Sequence, residues 1–147
     1  MVSRGRLFDL LEHAGFVAED DGEWLGYATY EVEAKALEVT VLESLSAGRG
    51  VGSALLAACV RAGVERGVDR VWLVTTNDNL DALRFYQRRG WVLAGLHRDS
   101  VTRARESLKP EIPFVGKDGI AIRDEIELEL PAGEWASFTG RYAWPLS

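Results

Sequence analysis

Apolar and polar residues alternate with period two in several stretches of this chain and with period 3.6 in two others, and their order predicts a fold. GFVAE from Gly15 and WLGYATYEVE to Glu33 flank Asp20, Asp21 and Gly22. Two apolar runs around such a turn predict a hairpin. Glu33 to Lys35 makes the next turn, and the run from Leu37 adds a third antiparallel strand, with Val39 and Val41 expected on one face and Glu38, Thr40 and Leu42 on the other. Gly48, Gly50 and Gly52 then break the chain, and a helix begins at once, with Val51, Leu55, Ala58, Cys59 and Ala62 on one stripe and an end near Gly67. RVWLVTT reads as a short buried strand. Asn77 to Asn79 supply cap chemistry for a second helix, LDALRFYQRR, which Gly90 closes and onto which Trp91 packs back.

The flanking segments are plainer. Met1 to His13 suits a short helix or an edge segment, WVLAGLHRDSV a strand, and RARESL a helical turn. KPEIPFVGKDGIAI is a loop, because Pro110, Pro113, Gly116 and Gly119 cannot sustain a ladder. In RDEIELELP, Ile126, Leu128 and Leu130 alternate with Glu125, Glu127 and Glu129, the pattern of a half-exposed final strand. On an edge its acids would deter aggregation, and Asp124 with those glutamates could also attract a cation. After Pro131 no period survives, so residues 131–147 are expected to be an irregular tail. The 147 residues are read as one α/β domain.

Composition removes several functions. A net charge of −6 argues against a general nucleic-acid binder. No apolar run reaches the roughly 18 residues of a membrane span, and the start has no secretory pattern, so a cytosolic location is expected. Cys59 is the one cysteine, and His13 and His97 are the only histidines. A metal site or a serine-histidine triad therefore has little to stand on, and Cys59 reads as a small core residue.

Strand, glycine turn and helix make an anion cradle, since glycines admit a phosphate to the backbone and the helix start offers N–H groups and the positive dipole end. SAGRGVGS lacks the lysine of a nucleotide P-loop. It also gives GxGxG rather than GxGxxG, and the next strand ends in Thr75 and Thr76 rather than an acid. On the second helix, Asn79 and Tyr86 stand seven positions apart, about two turns, so they share a face with the small Ala82 between them.

AGRGVG at Ala47 to Gly52 followed by SALL, then NLDALRFYQRRGW at Asn79 to Trp91, resembles the GCN5-related N-acetyltransferase (GNAT) family. LKPEIPFVGKDGIAIRDEIELE looks similar to an uncharacterised subgroup of that family. The resemblance implies a mixed, mostly antiparallel twisted sheet with splayed central strands flanked by helices. It further implies acetyl-CoA as acetyl donor, no metal, and a small-molecule or peptide amine as acceptor. Mapped on this chain, the pyrophosphate falls to Gly48, Arg49, Gly50, Val51, Gly52 and Ser53. The pantetheine arm lies between strands ending near Glu43 and Thr75, with Asn79 and Ala82 on its helix side. The backbone N–H of Leu42 or a neighbour serves the oxyanion, and Tyr86 protonates the thiolate.

For the base, Glu38 and Glu43 are the candidates, directly or through water. Direct attack follows, because no cysteine suits an acyl intermediate. Two features depart from the family. Ala47 stands where Gln or Arg is common, and the family's N-terminal strand and helices are expected to be short or missing. Both give a place to an alternative, a non-catalytic acyl-CoA sensor. A nucleotide-binding domain and a homodimer are left open.

Overall fold

The structure is a computed structural model and describes residues 6–10, 13–45 and 48–142. Its strands are β1 (Arg6–Leu10), β2 (His13–Asp20), β3 (Glu23–Glu33), β4 (Ala36–Ser44), β5 (Arg70–Thr76), β6 (Val92–His97) and β7 (Glu125–Glu129). The helices are α1 (Val51–Glu65), α2 (Leu80–Gln87), α3 (Ser100–Ser107) and α4 (Trp135–Arg141). The fold is mixed α/β with a mostly antiparallel open sheet, as expected. The chain divides into two compact units, one holding the residues up to Trp72 and again from Pro131, the other Leu73–Leu130.

In the first unit β1 to β4 follow one another as antiparallel neighbours, so the segment before His13 contributes an edge strand rather than a helix. Asp20 pairs with Glu23 across the two-residue turn Asp21-Gly22, whose φ angles are 49° and 82°. Positive φ at both positions matches the right-handed twist of the strands, and an Asp-Gly pair accepts it readily.

The expected alternation along β4 fails at one point. Thr29 pairs with Val41 but Tyr30 pairs with Val39, so Thr40 is an extra residue on β4. This bulge breaks the two-residue period. Leu37 and Val39 are buried, whereas Val41 is 41% exposed and does not share their face. Thr40 is held by its hydroxyl, 2.7 Å from that of Thr29.

α1 is buried far beyond one stripe. Val51, Leu55, Cys59 and Ala62 are buried as expected, but so are Ala54, Leu56, Ala57 and Val60. The reason lies in the tail, which is not irregular over its described part. Ala132–Glu134 form a 3-10 turn, α4 follows, and α4 packs on α1. Phe138 is buried there, and Arg61 donates to the Thr139 carbonyl at 3.2 Å. α1 ends in a paired cap: Gly67 N–H donates to Val64 O and Val68 N–H to Gly63 O, each at 3.1 Å.

In the second unit the strand order is β5, β7, β6, with β6 and β7 antiparallel. β7 is therefore an inner strand. Its acids do not guard an edge, and β6 occupies the outer place. The 98–124 segment between β6 and β7 holds α3 and a small hairpin, in which Val115 bridges Ala121 and Ile122 N–H donates to Phe114 O at 2.9 Å.

Candidate functional site

In the first unit the glycine turn opens directly into α1. Gly48 has φ 78° and Gly50 has φ 70°, the left-handed region where a Cβ is costly. Gly50 is the N-cap and carries no side chain to close the helix start. The first N–H groups of α1 have no partner within the helix, and the dipole adds partial positive charge there. Val51 and Ser53 are 1% and 3% exposed, so both are packed into the core at the helix start. β3 approaches closely: a Cβ on Gly26 would stand 2.6 Å from Glu43 O and 2.7 Å from Val51 Cγ1.

Arg49 is already engaged. Its guanidinium lies 3.1 Å from the Asp20 carboxylate at the end of β2, with both side chains partly exposed. An anion arriving at the turn would compete with Asp20 for it. Ala47 lies outside the described residues.

On β4, Leu42 and Glu38 are partly exposed and Glu43 is exposed. Glu38 pairs with Glu31 and Glu43 with Tyr27. Five positions at about 3.3 Å each put the two glutamates roughly 16 Å apart along the strand. At that separation they cannot act together on one group.

In the second unit Asn79 caps α2 through its side chain, accepting from Ala82 N–H at 3.1 Å. Leu83 and Phe85 are only half-buried, and Tyr86 is the buried residue of this helix. The Tyr86 ring stands edge-on to Phe85 at 5.3 Å and tilted to Trp91 at 5.9 Å. Trp91 N–H donates to Tyr86 O at 3.1 Å across Gly90, whose φ is 92°. That closure fixes the end of α2 and the ring beside it. Arg84 pairs with Asp81 on the exposed face, and Arg89 lies 3.8 Å over the Phe85 ring.

The same unit holds a cavity of about 500 Å³ that the pattern did not foretell. Val101, Ala104, Leu108, Ile112 and Ile122 supply its apolar wall. Thr76, Asp78, Lys109 and Glu125 supply the polar part. Two side chains shape it. Arg105, 7% exposed, donates to the carbonyls of Ile112, Pro113 and Ile122 at 3.0, 2.7 and 2.8 Å and lies 4.3 Å over Phe114. Asn77 donates to Ala121 O at 2.8 Å and accepts the N–H groups of Arg123 and Asp124 at 3.0 Å each.

Asp124 completes this staple. Its carboxylate accepts two bonds from Arg123 and one from Asp99 N–H, and is buried at 5% exposure. The hydrogen bond from Arg123 first, then the one from the Asp99 backbone, hold the carboxyl below its usual range. The acids read together from sequence therefore part company: Asp124 staples the loop, Glu125 lines the cavity, and Glu127 meets His97 at 3.0 Å. A faint signal for the staple was present. One cap needs one Asn, and Asn77-Asp78-Asn79 offers three capping side chains; two nearby prolines each remove a backbone donor, leaving carbonyls in excess.

Burial pushes the Cys59 thiol up to about 12, which suits a core residue and not a nucleophile. Among the described residues no cluster of three or more His, Cys, Asp or Glu could hold a metal ion, and no helix is long and apolar enough to cross a membrane.

Residues 3–91 match the model of the acetyltransferase (GNAT) family. Uncharacterized protein YdhI of Bacillus subtilis (strain 168) is 41% identical over 126 residues, covering 85% of this chain and 78% of that protein. The mycothiol acetyltransferase of Clavibacter sepedonicus is 40% identical over 96 residues, 59% of this chain but 32% of that one. The solved structure of a Bacillus subtilis acetyltransferase in complex with CoA superposes with a TM-score of 0.76, covering 89% of this chain and 99% of that chain. At 17% identity, that likeness is one of fold.

Proposed function

The chain belongs to the acetyltransferase (GNAT) family and is an N-acetyltransferase, and from that premise we propose that it moves acetyl from acetyl-CoA to a primary amine of a small molecule or peptide in a ternary complex. The amine nitrogen attacks the thioester carbonyl, a C–N bond forms, and the C–S bond breaks. An ammonium acceptor loses two protons on the way to the amide, and the departing thiolate takes up one. The balance is ammonium plus acetyl-CoA giving amide, free CoA thiol and one proton.

The observation that carries this reading is the left-handed Gly48 and Gly50 leading into an α1 start with no side-chain cap. Such a turn offers the N–H groups of Val51, Gly52 and Ser53 to a pyrophosphate. Arg49 would add a charge there once released from Asp20. Leu42 N–H is assigned to the oxyanion, whose charge develops only as the nitrogen attacks.

Tyr86 is assigned as the acid. Passing a proton from a phenol near 10 to a thiolate near 8.5 is uphill by about 2 kcal/mol in water, a deficit that positioning can offset. The rings of Phe85 and Trp91 supply such positioning. Asn79 and Ala82 are assigned to the pantetheine side, the Asn79 amide N–H₂ being separate from the oxygen that caps α2. Glu38 or Glu43 is assigned to the nitrogen's proton.

Calorimetry with acetyl-CoA, run beside a CoA-release assay over a broad amine panel, tests the reading. Binding with turnover of at least one amine is expected. Tight binding with no turnover across the panel would replace it with an acyl-CoA sensor, and no binding would remove the cofactor.

A further inference from the structure

Resting on the acetyl-transfer reading above, we propose that Asn77 is a positioning residue of the reaction: its amide fixes the corner between β5 and α2, and through it the place of the Tyr86 hydroxyl. The need for such a residue follows from α2 itself. A helix of eight residues is too short to hold its place by its own hydrogen bonds. Packing does not hold it all round either, since Leu83 and Phe85 are half-buried and Tyr86 is its buried residue. Its position is therefore set at its ends. The far end is fixed by Trp91, whose N–H donates to Tyr86 O at 3.1 Å. At the near end the Asn79 side chain accepts from Ala82 N–H, but that bond lies within the start of α2 and travels with it. Asn77 supplies the tie to the rest of the unit.

Four hydrogen bonds make that tie. The Asn77 amide oxygen accepts the N–H groups of Arg123 and Asp124 at 3.0 Å each, its nitrogen donates to Ala121 O at 2.8 Å, and its backbone N–H donates to Asp124 O at 3.0 Å. A carboxamide fits this place because one flat group both accepts twice and donates. A carboxylate of the same shape could keep the two N–H bonds but would turn an oxygen toward the Ala121 carbonyl. The anchor is itself held: Arg105 donates to the carbonyls of Pro113 and Ile122, and the Asp124 carboxylate accepts from Asp99 N–H. Asn77 thus pulls against a fixed point and not a free loop. From there to α2 the corner is tight, with Asn79 N–H donating to Thr76 O at 3.1 Å and Leu80 N–H to Asp78 O at 2.9 Å. The hairpin tip presses on the same corner, since a Cβ on Gly116 would run into the Asp78 carboxylate. A shift at Asn77 is therefore passed on to Asn79 and down two turns to Tyr86.

The test is a double-mutant cycle in kcat on the full chain, with an amine that the wild type turns over, beside hydrogen exchange of the α2 amides. Asn77→Ala should lower kcat about 20-fold at saturating acetyl-CoA, with acetyl-CoA affinity kept within about threefold because the glycine turn belongs to the other unit. In a Tyr86→Phe background the same change should cost less than about threefold, since the proton donor that Asn77 positions is already gone. The α2 amides should exchange about tenfold faster in Asn77→Ala, with those of α1 unaltered. Asn77→Asp keeps the shape and two of the bonds, so its loss in kcat should be smaller, about fivefold, and it runs the same cycle should Asn77→Ala fail to fold. An unaltered kcat despite faster exchange would overturn the role and leave Asn77 a clamp of the fold alone. The full loss repeated in the Tyr86→Phe background would overturn it as well. Turnover by the wild type with Asn77→Ala unaffected sinks this role only, whereas a wild type that turns over no amine sinks the transfer reading and the role together.

Discussion

Two regions of this protein are built in opposite ways. The glycine turn is shaped by backbone: φ angles of 78° and 70° at Gly48 and Gly50, an uncapped helix start, and core side chains at Val51 and Ser53 that anchor it from behind. The 98–124 segment is shaped by side chains that reach backbone, three carbonyls on Arg105 and a carbonyl with two N–H groups on Asn77. The first design suits a ligand part that never changes, such as a phosphate. The second hangs on a few side chains, so single substitutions can re-cut it.

The largest expected effect separates these designs. Arg105→Met keeps much of the apolar stem but leaves three carbonyls without a donor, and should cost about 4 kcal/mol by urea unfolding, given about 1.5–3 kcal/mol per bond to a charged group and incomplete additivity. Acetyl-CoA affinity of the folded variant should stay within twofold. A matching collapse of cofactor affinity would mean that the two designs are not separate.

Tyr86→Phe comes next. It removes the assigned acid from a ring whose packing survives, so kcat should fall roughly 100-fold with acetyl-CoA affinity little changed. An unaltered kcat would take Tyr86 out of the reaction and leave it as the packing residue of α2.

Gly50→Ala acts on the backbone design. A Cβ in the left-handed region costs about 1–2 kcal/mol, and acetyl-CoA binding should weaken several-fold, both read from thermal unfolding with and without cofactor. Stability lost without any change in affinity would move the phosphate away from this turn.

The smallest effect should be a gain. Asp20→Asn releases Arg49 from an exposed ion pair of the kind that contributes at most about 1 kcal/mol, so acetyl-CoA should bind about twofold tighter at low salt, with the advantage fading as salt rises. Weaker binding would mean that Asp20 positions Arg49 rather than distracting it.

The same contrast decides what the sequence could disclose. Glycines at alternate positions, an Asp-Gly hairpin and an Asn cap are local devices whose chemistry sits in adjacent residues, so the turn, the β2–β3 hairpin and the start of α2 were legible. The bulge at Thr40 was not, because an extra residue shows only against the partner strand. Nor was the all-round burial of α1, since the helix covering it is a short piece of a tail with no visible period. β7 read as an edge because its alternation was seen without the strand beside it. Arg105 was hidden for a similar reason: its role exists only once Ile112, Pro113 and Ile122 have been brought to it.

One buried atom has a use at the bench. The thiol of Cys59 is the sole sulfhydryl of the chain, it sits in the core of α1, and burial pushes it up to about 12. Native protein should therefore be silent toward Ellman's reagent, so the colour formed in a CoA-release assay reports product alone. Any one-equivalent step seen before acetyl-CoA is added counts opened molecules. Its slowing by cofactor would measure, in the same cuvette, how firmly the cofactor holds the folded state.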